Sequence, residues 1–326
     1  MGVYGASGPA TLQRVDLEFA LVGTNEMAER EGLIGTILAP EITVGLKQGT
    51  FPVVDMNQIN QKLVNDERAP GGRFNELSLS FRTDTYNTKF YGLQSSLDRQ
   101  EHAIYENDVE QDVLTADAIM VNMLKNKEKR ILALAQAVSA TGSGSNPAAP
   151  GTVWTSASST PVTDMITYKL ELRNRRRRFN DSDLVLALDY EVMQKLRVNS
   201  EILGKLSTMV QKLPSDIDNA LIAAALGVGR IAVANSWENT SSQGAAEADT
   251  VYALQWPKTQ GFLCIAKATK GEVHRWANVL KWRKGITGWE QSYDWDCDCD
   301  KIRNREAYGL KEVDSGSALR ITGVAA

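Results

Sequence analysis

Histidine is almost missing from this chain of 326 residues: there are two, His102 and His274, far apart in the sequence. No Gly-x-Ser-x-Gly, HExxH or phosphate-cradling loop accompanies them, so the usual arrangements for nucleophilic, metallohydrolase or nucleotide chemistry are not present. The turn Gly227-Val228-Gly229 lacks the further glycine and the lysine of a nucleotide site. Function has to be argued from a site, and none for catalysis is visible; no catalytic residue, cofactor-binding residue or metal ligand is assigned. Cysteine is scarce as well. Three cysteines cannot build a disulfide framework, and the odd count fits a reducing cytoplasm. Long apolar runs are absent: Ala220 to Leu226, among the longest, falls far short of the ~20 residues that span a bilayer. The N-terminus has no basic stretch leading into an apolar one, so neither export nor a membrane is indicated. Nor is there a surplus of positive charge. With 36 basic and 40 acidic side chains the net charge is −4, and no overall field draws the chain onto nucleic acid.

What remains is ordinary soluble usage, 43% hydrophobic and 23% charged, in a chain long enough for two compact units or one with extensions. Its patterns are those of an α+β protein. Residues 1–50 hold one helical stretch, Leu17 to Arg30, then Leu38-Ala39-Pro40, where the proline holds Ala39 extended, then the glycine-interrupted run Ile42 to Phe51. So little contiguous apolar surface reads as an arm lying on something else, such as another subunit. From Phe51 to Leu97 the chain makes an extended hairpin-like excursion. Leu77, Leu79 and Phe81 alternate with Ser78, Ser80 and Arg82, the period of a strand with one apolar face. Arg68-Ala69-Pro70-Gly71-Gly72-Arg73 supplies turn geometry at its tip. Two strands cannot cover their own apolar face, so such a ribbon needs a surface to lie on.

The strongest helix signal runs from Asn107 to Ala140, where Val109, Val113, Ala116, Met120, Leu124, Ile131, Leu134 and Val138 recur at threes, fours and one seven. Asp108, Glu110 and Asp112 suit the positive end of its dipole. At about 1.5 Å per residue this is a rod of roughly 50 Å. No helix of similar length exists to partner it, so it is expected to lie beside a sheet of returning C-terminal strands. The linker Thr141 to Pro147 follows. Further on, a helix over Thr163 to Phe179 ends in Arg173, Arg175, Arg176, Arg177 and Arg178. A buried strand Asp183 to Leu188, a helix Tyr190 to Leu213 broken or kinked near Asn199 and Gly204, a helix Asp216 to Leu226 and a strand Arg230 to Ala234 alternate as in an α/β unit. Glu238 to Asp249 reads as a surface loop. Strands are expected at Thr250 to Gln255, Gly261 to Ala266 and Ala318 to Val324. Before the last of these, Tyr293, Trp295, Cys297 and Cys299 alternate strictly with Asp294, Asp296, Asp298 and Asp300. Read as a strand, this puts the thiols about 6.5 Å apart on a buried face and the aspartates on a solvated one, so thiols and carboxylates do not converge on one ion. That spacing is also near the upper limit for a disulfide.

The order of these elements resembles the major capsid proteins of tailed double-stranded DNA bacteriophages, the family with the Hong Kong 97 fold. The likeness covers most of the chain. It is carried by Leu38-Ala39-Pro40 followed by Lys47-Gln48-Gly49-Thr50-Phe51-Pro52-Val53, by the tip Arg68 to Arg73, and by Thr85-Tyr86-Asn87-Thr88-Lys89-Phe90-Tyr91-Gly92-Leu93 before the long helix. Asp183 to Leu188 running into Met193 and Leu196, and Arg230-Ile231-Ala232-Val233-Ala234-Asn235, continue it. The resemblance implies an N-terminal arm (1–50), an extended loop (51–98), a peripheral domain with a spine helix (99–180), an axial α/β domain (181–290) and final strands returning to the periphery (291–326). It implies a structural protein rather than an enzyme, one that self-assembles into pentamers and hexamers of an icosahedral shell around double-stranded DNA. The virion is then its location and the host cytoplasm its place of assembly.

The partners implied are other copies of the chain, a portal, a possible decoration protein and packaged DNA bound without sequence specificity. Many relatives carry a long scaffolding segment ahead of the arm; the short arm here points to a separate scaffolding protein or to a mature product. The lysine, asparagine and acid that cross-link some relatives have no match. In a shell, contacts between subunits are expected at Arg68, Ala69, Pro70, Gly71, Gly72 and Arg73, at Arg175, Arg176, Arg177 and Arg178, and at Asp294, Asp296, Asp298 and Asp300. The arginines can alternatively face DNA phosphates or solvent, and the aspartates can hold calcium between subunits. An encapsulin-like compartment shares the fold, and a nucleic-acid- or metal-binding protein using the arginine or aspartate cluster is the reading from another class.

Overall fold

The computed structural model describes residues 12–13, 24–53, 67, 72–73, 82–100, 111–138, 149–175, 177–209, 217–242, 246, 250–266, 275–285 and 287–326. In chain order these form strand β1 (Leu12–Gln13), helices α1 (Thr24–Arg30) and α2 (Gly35–Leu38), and strands β2 (Glu41–Val44), β3 (Gln48–Val53), β4 (Arg82–Asn87) and β5 (Lys89–Asp98). The long helix α3 (Gln111–Ala137) and helix α4 (Pro161–Asn174) follow. Next come β6 (Leu184–Asp189), α5 (Tyr190–Arg197), α6 (Ser200–Met209), α7 (Asn219–Leu226), β7 (Arg230–Ala234) and β8 (Trp237–Asn239). The chain finishes with β9 (Tyr252–Leu254), β10 (Gln260–Ile265), β11 (Ala277–Trp282), β12 (Gly288–Asp294), β13 (Cys299–Glu312) and β14 (Ala318–Thr322).

One sheet has the order β14-β10-β6-β7, with β6 and β7 parallel and the other pairs antiparallel. Every residue of β6 is buried, as a strand covered on both faces requires. Leu184, Leu186, Leu188, Leu263, Ile265, Leu319 and Ile321 face a core formed with α4 to α7. The alternate residues Val185, Ala187, Ala232, Phe262, Cys264 and Ala318 face a second core. This core holds the end of α3, through Ile131, Leu132 and Ala135, and the segment Ile34 to Ala39. The helices beside the sheet are punctuated by polar side chains. Asp189 accepts from Glu191 N at 2.8 Å to start α5. Asn199 Oδ1 accepts from the backbone of Glu201 and Ile202, at 3.0 and 3.3 Å, to start α6, and this is the break expected there. Gly204 lies within α6 and does not end it. Gly227, at φ 66°, closes α7 in the left-handed conformation.

The second sheet is built on β13. Along one edge β5 pairs from Lys89↔Tyr308 to Asp98↔Cys299; along the other, β12 pairs with the first half and β11 with the second. β1 extends β12, and β2 lies parallel to β11. The first half of α3 packs here, Ala116, Ile119 and Met120 against Trp289, Ile302 and Met27. The long helix therefore lies beside the C-terminal strands, as its lack of a helical partner implies.

Three boundaries differ from expectation. The arm is built into the body from Thr24 onward: Met27, Ile34, Leu38, Ala39 and Ile42 are buried within this chain, because α3 supplies the apolar surface they need. Strand β5 belongs to the second sheet, so only β3 and β4 form the base of the ribbon. The switch falls at buried Thr88, whose N–H and hydroxyl both donate to Lys47 O, at 2.9 and 3.0 Å. Finally, β11 joins the second sheet and the last strand β14 joins the first, so these two strands lie across the boundary expected at 290, while β6, β7, β10 and β13 do not.

Candidate assembly interface

The apolar stripe of α3 has one interval of seven, between Leu124 and Ile131, and the structure fills it with two buried charges. Lys127, only 5% exposed, donates to Glu41 at 2.5 Å and Glu306 at 3.0 Å and lies 4.9 Å from the Tyr308 ring. Burial alone pushes its ammonium pKa down, but the two carboxylates outweigh this and hold it above the ordinary lysine value. Burial pushes Glu41 up, and Lys127 outweighs it in the opposite direction, leaving the carboxyl below its ordinary value. Next to it, Glu128 accepts from Ile34 N at 3.0 Å, Gly35 N at 2.7 Å and Trp256 Nε1 at 2.6 Å. Burial raises its pKa against these three donors. Gly35 has no Cβ to spare here, since one would sit 2.5 Å from Glu128 Oε2. This cluster is structural: it clamps the N-terminal segment, the loop before β10 and the second sheet onto one helix.

The arginine cluster is divided by the fold. Arg175 donates to Glu171 at 3.2 Å, one helical turn back, and to Ala318 O at 3.2 Å. Arg177 pairs with Asp314 at 2.6 Å and covers Gly316. Both side chains are largely buried, so the expectation that they face a neighbour, DNA or solvent is corrected. The helix ends at Asn174, and the chain behind it turns inward to meet the segment before β14. Arg178 is exposed and Arg176 lies outside the described residues.

The aspartate strand is corrected as well. Residues 295–298 form a turn between β12 and β13, with Asp298 at φ 47° and Asp294 Oδ1 accepting from Asp296 N at 3.1 Å. Trp295 is 80% exposed rather than buried. The turn draws the Cα atoms of Cys297 and Cys299 to 5.2 Å, and the two are joined by a disulfide. Asp294 pairs with Lys301, Asp298 accepts from the Tyr293 hydroxyl, and Asp300 pairs with Arg99 at 3.1 Å. Arg99 also stacks 4.1 Å from the Tyr293 ring. Asp296 and Asp298 are exposed.

Of the residues expected at the ribbon's tip, Arg68, Ala69, Pro70 and Gly71 lie outside the described residues; Gly72 and Arg73 are exposed. At its base β3 and β4 pair with each other from Gln48↔Asn87 to Val53↔Arg82. Several exposed apolar side chains were not singled out from the sequence. Trp237, Val251 and Tyr252 crowd the two-stranded hairpin β8–β9, and Ile166 and Leu170 sit one turn apart on α4. The signal for α4 was present, since its apolar residues run all round the helix rather than along one stripe.

No family model and no curated protein sequence matches the chain. Solved structures do. The architecture, two sheets bridged by a spine helix with a two-stranded ribbon leaving the body, is that of the Hong Kong 97-like phage capsid proteins. A phage-related protein from Bordetella bronchiseptica RB50 superposes with a TM-score of 0.65 at 13% identity, over 97% of this chain and 98% of that one. The capsid of cyanophage P-SCSP1u matches at 0.54 and 14% identity, over 98% and 90%. The virus-like particle from Pyrococcus furiosus matches at 0.55 and 10% identity, over 94% and 98%.

Proposed function

We propose that this chain is the major capsid protein of a tailed double-stranded DNA phage, a shell subunit and not an enzyme. The observation that carries the reading is the end-to-end match to phage capsid structures, over 98% of this chain for the cyanophage P-SCSP1u capsid. The local physics agrees with it. The ribbon β3–β4 and the hairpin β8–β9 are each two-stranded, and such units gain stability only against a further surface. Exposed Trp237, Val251, Tyr252, Ile166 and Leu170 offer apolar area that neighbouring subunits bury.

Pentamers and hexamers form when each extended loop overlies the next subunit, with contacts at residues 68–73 and at Asp296 and Asp298 on the hairpin tip. Many weak contacts become strong through their number. A scaffolding protein, a portal and packaged DNA complete the partner set, with assembly in the host cytoplasm. Negative-stain microscopy of the purified chain, alone and co-expressed with its gene neighbours, tests this. Rings, sheets or closed shells are expected, with nucleic acid rather than protein cargo inside. A persistent monomer bound to DNA in a salt-sensitive manner would overturn it.

A further inference from the structure

Cys297 and Cys299, at the hairpin tip between β12 and β13, belong neither to the cores nor to the contacts assigned in the shell reading. The turn there brings together Asp294 and the two cysteines, whose carboxylate oxygen and sulfurs all lie within 4.8 Å of one another. We propose that residues 294–299 form a redox-gated site for a soft divalent cation of the zinc class. Once the Cys297–Cys299 bond is reduced, both thiolates and the Asp294 carboxylate bind the ion.

The donor set selects the metal. Two sulfurs and one oxygen match zinc-class ions, which take thiolate at about 2.3 Å and carboxylate at about 2.0–2.2 Å; hard calcium takes six to eight oxygens. Tetrahedral ligands at such distances stand roughly 3.5 Å apart. The three donors reach that spacing by side-chain rotation, because the turn has already brought them to one side. The backbone is held for this purpose by the Asp294–Asp296 contact and by the left-handed Asp298, with β12 and β13 paired up to Asp294↔Cys299. Asp294 keeps acceptor capacity for an ion while its oxygens accept from Lys301 and from Asp296 N, since an ionised carboxylate has about four lone-pair sites. Lys301 then orients the ligand from behind, as outer partners of metal ligands do. Cys297 is exposed, so the ion and a reductant have access, and the fourth position falls to water.

The chemistry balances. A dithiol reductant attacks the disulfide: the Cys297–Cys299 bond breaks, the dithiol closes its own sulfur–sulfur bond, and its two protons pass to the protein thiols. Two electrons move with them. A divalent ion then displaces both thiol protons as two metal–sulfur bonds form. Oxidised, the tip holds a covalent link; reduced, it holds a chelate. The third cysteine takes no part: Cys264 is fully buried, and burial pushes its thiol pKa up, so it stays protonated.

Cobalt(II) is the probe. The full chain is reduced with a dithiol, desalted without oxygen and titrated with Co²⁺, following the thiolate-to-cobalt charge-transfer absorption. The expected result is one equivalent per chain, displaced by Zn²⁺, with no such band in the oxidised chain, in Cys297→Ser or in Cys299→Ser. Cys264→Ala should bind as the wild type does. Asp294→Asn should weaken binding by at least about tenfold, the lower effect of losing even an outer partner. Absence of the band in the reduced chain overturns the proposal, as does its persistence in Cys297→Ser, equal binding by the oxidised chain, or unchanged affinity in Asp294→Asn. Because Cys297 is exposed, its serine variant is expected to fold, which circular dichroism checks. The readout needs no assembled shell, so failure here and failure of the capsid reading are separate results.

Discussion

Trp256 donates its indole N–H to Glu128 across 2.6 Å, in the interior between the long helix and the loop that leads into β10. Since the same carboxylate accepts from Ile34 and Gly35, one side chain joins three stretches that are remote in sequence.

Removing that acceptor leaves three buried donors without a partner, at about 1–3 kcal/mol each. Glu128→Ala should lower the unfolding free energy of the dissociated subunit by roughly 3 kcal/mol or more. Glu128→Gln, which keeps one accepting oxygen, should lose less, and Trp256→Phe least. Denaturant unfolding followed by tryptophan fluorescence for the Glu128 variants, and by circular dichroism for Trp256→Phe, gives the order.

The buried ammonium of Lys127 predicts a pH signature. Its pKa is raised above 10.5, so its contribution is complete below that value and is lost as pH climbs through the folded pKa. Glu41 is lowered below 4.5; its contribution is present above 4.5 and is lost as pH falls through the folded pKa. Lys127→Met takes the nearer cation from Glu41 and Glu306, leaving Lys281 at 3.9 Å from Glu306, and should cost about 2 kcal/mol near neutral pH. The gap to wild type should narrow below pH ~4.5, where Glu41 takes up its proton, and again above pH ~10.5. Melting temperatures across that range check both limbs.

Arg177→Ala should destabilise the subunit by about 2 kcal/mol, because Asp314 loses its charged donor in a largely buried place. Arg173→Ala, at an exposed position, should leave the melting temperature unchanged. Equal behaviour of the two would contradict the inward turn after α4.

Charge reversal at the tip of the ribbon separates folding from assembly. Arg73→Glu, at an exposed position, should leave the subunit's melting temperature within about 1 °C of wild type, as surface changes away from packed features do. Shell yield, measured by sedimentation, should fall severalfold.

The sequence patterns that proved legible are those in which one local rule decides the outcome. The threes and fours of α3 give a helix; the short apolar runs at Leu184 to Asp189, Arg230 to Ala234 and Gln260 to Ile265 give buried strands; glycine at 227 gives a helix end. Where two rules compete, the pattern misleads. Alternation over Tyr293 to Asp300 satisfies the period of a strand, yet aspartates also favour tight turns, and the pairing of β12 with β13 requires one there. The arginine run looks like a solvated helix end because nothing local reveals that Asp314, far along the chain, waits for Arg177. Lys127 and Glu128 did leave a trace. They occupy the single seven-residue interval in the apolar stripe, and a charge on such a stripe points to a buried partner.

In mechanical terms β13 acts as a tendon. A pull along it is shared in shear by its pairs with β5, from Tyr308↔Lys89 to Cys299↔Asp98, whereas a pull across it peels them one at a time. The tendon does not stop at the edge of its sheet. Through Val313 and Asp314, whose N–H groups donate to Trp276 O, and through the Arg177 anchor, it is tied to the short turn that leads into β14. Tension applied at the hairpin tip is thereby delivered to the other sheet through a short pinned connection, the bend at Val313 and the 3-10 turn Ser315–Ser317.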